Sequence, residues 1–173
     1  EAIVMTASGC GVTVKEYGSY LTHDHIYSKK AARISELTKD ISEILEHEAE
    51  QLTPLFNNME SCTKKSKLTF HSPCTLQHGL QINGVVESIL TAAGFDLTFV
   101  QDSHICCGSA GTYSILQPKL SKQLLRNKIK ILESDKPDQI VTANIGCLAH
   151  LQSGTPLIIK HWIEVLDEKL HNH

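Results

Sequence analysis

Four cysteines in three short stretches carry the chemistry that this sequence offers. Cys74 is followed after 31 residues by Cys106-Cys107-Gly108, and after 38 more by Cys147, with His150 completing a C-x-x-H. Four thiolates are enough to hold a tetrahedral zinc ion or a four-iron cluster. The adjacent pair is the informative part. Neighbouring cysteines on a strand-like backbone point apart, so they serve two irons of one cluster more easily than a single small ion. Gly108 is expected to let the backbone pass close to the ligand, and Gly146 to do the same at Cys147. Pro73 stiffens the approach to Cys74. The first turn of a helix could aim both Cys147 and His150 at one centre, and a helix N-terminus favours the thiolate. His150 reads equally as a hydrogen-bonded structural histidine. His71, His78 and His104 flank the cysteines as donors to cluster sulfurs or as zinc ligands.

Strand-to-loop transitions must position these residues. Ile3–Thr6 reads as a short strand, with Ser8–Gly11 as a turn after it and one or two helical turns within Val12–Gly18. Residues 28–51 read as amphipathic helix, with Asp40 and Glu43 resembling a capping box that starts a second helix. Pro54 and Asn57-Asn58 mark a break. Leu68–His71 is expected as a strand running into Cys74. A helix over Val85–Ala93, a strand over Phe95–Val100, a long helix over Ser114–Ser134 and a strand over Gln139–Ala143 follow. Leu157–Ile159 is a short strand, and His161–Leu170 a closing helix. Alternating strands and helices imply an α/β fold: a parallel sheet with flanking helices. Each cysteine-bearing loop follows a strand, and strand carboxyl ends share one edge of such a sheet, where ligands bind. Cysteines far apart in sequence are therefore expected to converge.

An internal repeat sharpens this. Ile3-Val4 and Gly9-Cys10 recur 137 positions later as Ile140-Val141 and Gly146-Cys147. Each unit leads to a later amphipathic helix, Asp40–Leu45 in one and His161–Leu166 in the other. Residues 1–52 thus read as the tail of an earlier copy, 53–67 as a linker and 68–173 as a second, cysteine-bearing copy. Cys10 reads as a vestigial ligand. Its unit has Thr13 where the other has His150, and Thr13 supplies no thiolate. Cys62, in a Lys-rich stretch, reads as a small hydrophobe. His23, His25, His171 and His173 read as surface residues.

Composition narrows the function. The 173 residues are 41% apolar and 20% charged, which suits a globular domain with one core. The net charge of −3 and the 5% aromatic content argue against nucleic acid as a ligand. No apolar run approaches the roughly 20 residues that span a bilayer. Six cysteines without a secretory signal favour thiols or metal ligands over disulfides. The cytoplasm is the expected location, with any membrane contact peripheral at its inner face or made through a partner. The chain opens on Glu1 without Met, as a fragment of a longer protein would. No ferredoxin-type cysteine run, dinucleotide fingerprint, P-loop or Ser-His-Asp arrangement is present.

His71–Cys74, Cys106–Gly111 and Asn144–Cys147 together resemble the cysteine-rich CCG domain of heterodisulfide reductases, anaerobic glycerol-3-phosphate dehydrogenases, lactate-utilisation proteins and iron–sulfur subunits of glycolate oxidase. The last group is the most similar. The residues carrying that similarity are Pro73–Gly79, Cys106–Pro118, Ala143–Gly154 and His161–Asp167, with Ser8–Gly18 matching the end of a first CCG copy. The resemblance implies an electron-transfer subunit whose cofactor is held by Cys74, Cys106, Cys107, Cys147 and His150. The cofactor would be a 4Fe–4S cluster, its non-cubane form included, or zinc, and an isolated fragment could lack it. Electrons would pass from a flavin-containing subunit, which oxidises glycolate to glyoxylate, toward a membrane acceptor. The substrate-oxidising site would not be on this chain. The family's fuller motif ends in C-x-x-C, and here the last position is His150. A structural zinc domain and a thiol–disulfide module on Cys106 and Cys107 are the competing readings.

Overall fold

The structure is a computed structural model that describes residues 1–58 and 66–171. Cys62, His173 and residues 59–65 of the expected linker lie outside the described residues. Four parallel strands form the main sheet: β3 (Lys67–His71), β4 (Asp96–Leu97), β5 (Gln139–Thr142) and β6 (Ile159–His161), in the order β4-β3-β5-β6. A second parallel pair joins β1 (Ile3–Met5) to β2 (Thr38–Asp40). The expected α/β fold with parallel strands and flanking helices is therefore present.

The main sheet is covered on both faces because its strands alternate two kinds of buried side chain. Leu68, Phe70, Val141 and Ala143 join one apolar cluster, beneath α6 (Val85–Ala92) and α10 (Trp162–His171), with Trp162 fully enclosed. Ile140 and Ile159 face the other way into a second cluster, under α8 (Pro118–Leu132) and α9 (Ile145–Gln152). Cys107 and Cys147 belong to this second cluster. Register sets His71 opposite Thr142 at the carboxyl ends of the two central strands.

Several local expectations give way to tertiary context. Ser8–Gly11 is not a turn; it opens α1 (Ser8–Lys15). The helical stretch expected over residues 28–51 does restart at the Asp40 capping box, but α3 (Ser28–Leu37) and α4 (Ile41–His47) are separated by a strand that was not expected, β2, because Thr38–Asp40 pairs with β1. A three-residue strand is too short to show a period of two. Pro54 lies inside α5 (Ala49–Asn58), so the expected break does not occur there. The residues after Cys74 form a π-helical turn, Thr75–Gly79. The long helix after the cysteine pair is divided at Pro118 into α7 (Tyr113–Leu116) and α8, where proline serves as a helix start. The expected capping box is present: the Glu43 carboxylate accepts from the Asp40 N–H at 2.8 Å, and Asp40 Oδ1 accepts from the Ser42 N–H at 2.9 Å.

Residues 1–47 and residues 66–171 pack on each other where the cysteine loops lie. Gly79 sits so close to α1 that a Cβ there would approach Val12 Cγ2 to 2.5 Å. The Ser8 N–H, at the start of α1, donates to the Ala143 carbonyl at 3.2 Å. The remaining helix, α2 (Tyr17–Tyr20), packs on α3.

Candidate metal centre

Three loops bring their cysteines side by side at the carboxyl edge of the main sheet. The donor atoms of His71, Cys107 and Cys147 all lie within 4.8 Å of one another, and all three residues are buried. The chain of contacts continues outward: Cys107 lies against both Cys147 and Cys106, and Cys106 lies against Cys74. Cys74 and Cys106 are half-buried. Cys107 lies inward with His71 and Cys147 and Cys106 lies outward with Cys74, but the two neighbouring sulfurs also touch each other, so the pair does not point apart as expected.

The sulfurs shift one another's acidity in alternating directions along the chain. Hydrogen bonding with Cys106, helped by burial, pushes the Cys74 thiol well up, and hydrogen bonding with Cys106 and then Cys147 does the same to Cys107. Cys106 is drawn down to about 2 by hydrogen bonds from Cys107 and Cys74. Cys147 is lowered first by Cys107, with Ser109 and Lys128 assisting. His71 is pushed down to about 3, first by burial and then by Lys128, so its imidazole is neutral. Its Nδ1 is 2.9 Å from the Thr142 hydroxyl, which fixes the ring and leaves Nε2 as the second nitrogen.

Each loop is pinned by neighbouring polar groups. Asn144 Oδ1 accepts from the Gly146 N–H at 2.9 Å and the Cys147 N–H at 3.4 Å, capping α9 at the cysteine. The Asn144 amide donates to Ser8 Oγ at 3.2 Å, and Ser8 Oγ is 2.7 Å from Thr75 Oγ1, beside Cys74. Ser8, in the first unit, therefore bridges the loops of Cys74 and Cys147. Gly108 has φ +96°, and a Cβ there would meet the Ser121 carbonyl oxygen at 2.7 Å. The close approach that glycine permits is thus to α8, not to the ligand as expected. Ser121 Oγ donates to the Gly108 carbonyl at 2.8 Å.

The candidate residues sort accordingly. Cys74, Cys106, Cys107 and Cys147 are gathered, and His71 joins them. His150 Nε2 lies 3.3 Å from Ser121 Oγ, and His150 is not among the three close donors. It buttresses the Cys-Cys-Gly turn through Ser121. His78 and His104 are exposed, as are Cys10, His23, His25 and His171. Among the described residues no disulfide forms. The alternation in Leu68–His71 signalled that His71 lies opposite the apolar face, and a parallel sheet buries that face too. Sequence reading missed Ser8, Asn144 and the fully buried Lys128. Lys128 shares the buried side of α8 with Ser121, Leu125, Ile129 and Leu132, so a cation in that stripe was the available signal.

The donor set fits a metal. The separations among His71, Cys107 and Cys147 are those of ligands around one ion, where Zn–S is about 2.3 Å and Zn–N about 2.0 Å. Cys106 and Cys74 extend the set outward, as a multi-iron cluster needs.

Comparison with known proteins agrees with this geometry. Residues 68–152 match the CCG cysteine-rich domain. The chain is 49% identical over 170 residues to the glycolate oxidase iron–sulfur subunit of Escherichia coli (strain K12), covering 98% of this chain and 40% of that protein. It is 26% identical over 178 residues to lactate utilization protein A of Anoxybacillus flavithermus, covering 98% of this chain and 71% of that one. A probable glycolate oxidase iron–sulfur subunit of Bacillus subtilis is 28% identical over 156 residues, 89% of this chain and 34% of its own length. The chain thus spans two fifths or less of the glycolate oxidase subunits it matches. All four gathered cysteines lie within residues 68–152, the segment that matches the CCG cysteine-rich domain.

Proposed function

We propose that this chain is the cysteine-rich part of an electron-transfer iron–sulfur subunit of a glycolate oxidase. The observation that carries the reading is a chain of four neighbouring cysteine sulfurs from three separate strand-end loops, buried beside His71 at its Cys107 and Cys147 end and half-buried at its Cys106 and Cys74 end. The names of its relatives support it. Cys74, Cys106, Cys107 and Cys147 are the ligands of a 4Fe–4S cluster, of cubane or non-cubane form. The cluster supplies a one-electron carrier. The protein fixes its position, withholds water on the His71 and Cys147 side, and balances its charge. His71 is a fifth donor, aimed by Thr142. His150 acts here through Ser121 on the Cys-Cys-Gly turn.

In this reading, residues 1–52 are the tail of a first CCG copy, and 68–173 are the second. The shared order of strand, Gly-Cys helix, strand and capped helix supports that division. Flavin-containing subunits of the same complex oxidise glycolate to glyoxylate and deliver the electrons, which leave toward a membrane acceptor. No helix among the described residues is long and apolar enough to cross a membrane. Contact with the inner face of the cell membrane is then peripheral, and the subunit acts from the cytoplasm.

The close trio of His71, Cys107 and Cys147 favours a second reading, a structural zinc domain. Anaerobic purification with metal analysis and EPR separates the two. Iron and sulfide with a redox-active EPR signal support the cluster, and stoichiometric zinc with no redox signal overturns it. A metal-free protein whose Cys106 and Cys107 oxidise as one reversible pair would replace both with a thiol–disulfide module.

A further inference from the structure

Lys128 is the most unusual residue that the site's ligand chemistry leaves unexplained. Its side chain is fully enclosed in the second apolar cluster's layer, on α8 between Leu125 and Leu132. Its ammonium donates to the Ser103 carbonyl at 2.9 Å and to the Asp102 carbonyl at 3.4 Å, in the loop that leads into Cys106. Gln77, from the turn after Cys74, donates to the same Ser103 carbonyl at 3.1 Å and to the Ser72 carbonyl at 2.8 Å. Lys128 thus stands at the junction of two cysteine loops. Among the described residues no carboxylate forms an ion pair with it. A buried ammonium without a counter-charge is costly, and two neutral carbonyls do not balance it. Burial pushes the Lys128 ammonium below the usual lysine range, and negative charge on the sulfurs of Cys107, Cys106 and Cys147 or on the exposed Asp102 carboxylate works against that shift.

We propose that Lys128 is the charge-balancing residue of the metal centre: a fixed internal cation, tied to the Cys106 loop, that offsets thiolate charge and raises the centre's affinity for an electron. Adding an electron to a centre bound by several thiolates increases negative charge in a medium of low dielectric, and a nearby fixed cation favours the reduced state. The inference rests on the metal-site reading, and its tests are chosen to fail separately from it.

The test compares wild-type protein with Lys128→Met, which keeps length and removes charge, and Lys128→Gln, which keeps a donor for the Ser103 carbonyl. Leu132→Ala is the packing control on the same helix face. Cadmium titration of the metal-free protein, followed by thiolate-to-cadmium absorbance, reads the charge balance whatever the native metal is. Both Lys128 variants are expected to bind cadmium about ten- to a hundredfold more weakly, while Leu132→Ala loses stability with less than about a threefold change in binding. In cluster-loaded protein, the midpoint potential of the Lys128 variants falls by at least one tenfold step in the electron-binding equilibrium, about 59 mV. If one variant fails to fold, the other carries the test. Unchanged cadmium affinity and potential in a folded variant overturn the role of Lys128 and leave the metal site standing. Wild-type protein that binds no cadmium overturns both.

Discussion

The unit from β1 to α4 and the unit from β5 to α10 share one plan, yet only the second holds a buried cysteine. In each, a strand leads to a Gly-Cys helix, then to a second parallel strand paired with the first, then to a helix capped in the same way. The caps match in detail. Glu43 accepts from the Asp40 N–H and Glu164 from the His161 N–H, each at 2.8 Å. The residue opening each cap, Asp40 or His161, accepts from the N–H two positions on, at 2.9 and 3.3 Å. The surroundings differ. Ile140 and Val141 have no exposure, whereas Ile3 and Val4 are 37% and 47% exposed. Strand β5 lies between β3 and β6, while β1 has β2 alone among the described residues. The repeated frame is therefore scaffold, and the chemistry comes from the loops after β3 and β4, which supply Cys74 and Cys106-Cys107 to Cys147 and nothing to Cys10.

The sharpest break of that comparison is Cys107→Ala against Cys10→Ala. The first is expected to abolish stoichiometric metal binding and the second to leave metal content unchanged, as measured by elemental analysis after anaerobic purification. Retention of full metal content by Cys107→Ala would remove the ligand assignment. Next in size, Trp162→Ala should cost about 3–5 kcal/mol in urea unfolding. Its counterpart Ile41, only partly buried against the same core, should cost about 2 kcal/mol or less when cut to Ala. Equal losses would mean that the two units are embedded alike. The smallest effects concern the caps of the two Gly-Cys helices, where Asn144 stands in one and Ala7 in the other. Asn144→Ala should cost about 1 kcal/mol and weaken cadmium binding roughly tenfold, because it frees both the Cys147 loop and the Ser8 bridge. Ala7→Asn should stabilise α1 by about 0.5–1 kcal/mol without touching metal affinity. A change in metal affinity on capping α1 would show that the first unit is not a passive frame.

Much of this site was legible before any coordinates. Cys74, Cys106, Cys107 and Cys147 could be grouped because strand ends in a parallel sheet share an edge, and Thr13 in the place of His150 set Cys10 apart from its repeat partner Cys147. The division of labour between two histidines was not legible. His150 has chelating spacing to Cys147, but Ser121, 29 residues earlier, takes its ring nitrogen. His71 looked like a flanking residue until register with Thr142 turned it inward. Strand β2 was hidden in a helical pattern because its three residues owe their conformation to β1.

Local chemistry in the sequence determined the parallel α/β order, the capping box at Asp40 and the identity of the candidate thiol donors. Those properties depend on periodicity and on side-chain type, both of which are written residue by residue. Only the tertiary structure decided which sulfur touches which, that Ser8 braces two cysteine loops, and that Lys128 stands buried behind them. Those are relations between residues 25 to 136 positions apart, set by sheet register and helix packing, and no short window of sequence contains them.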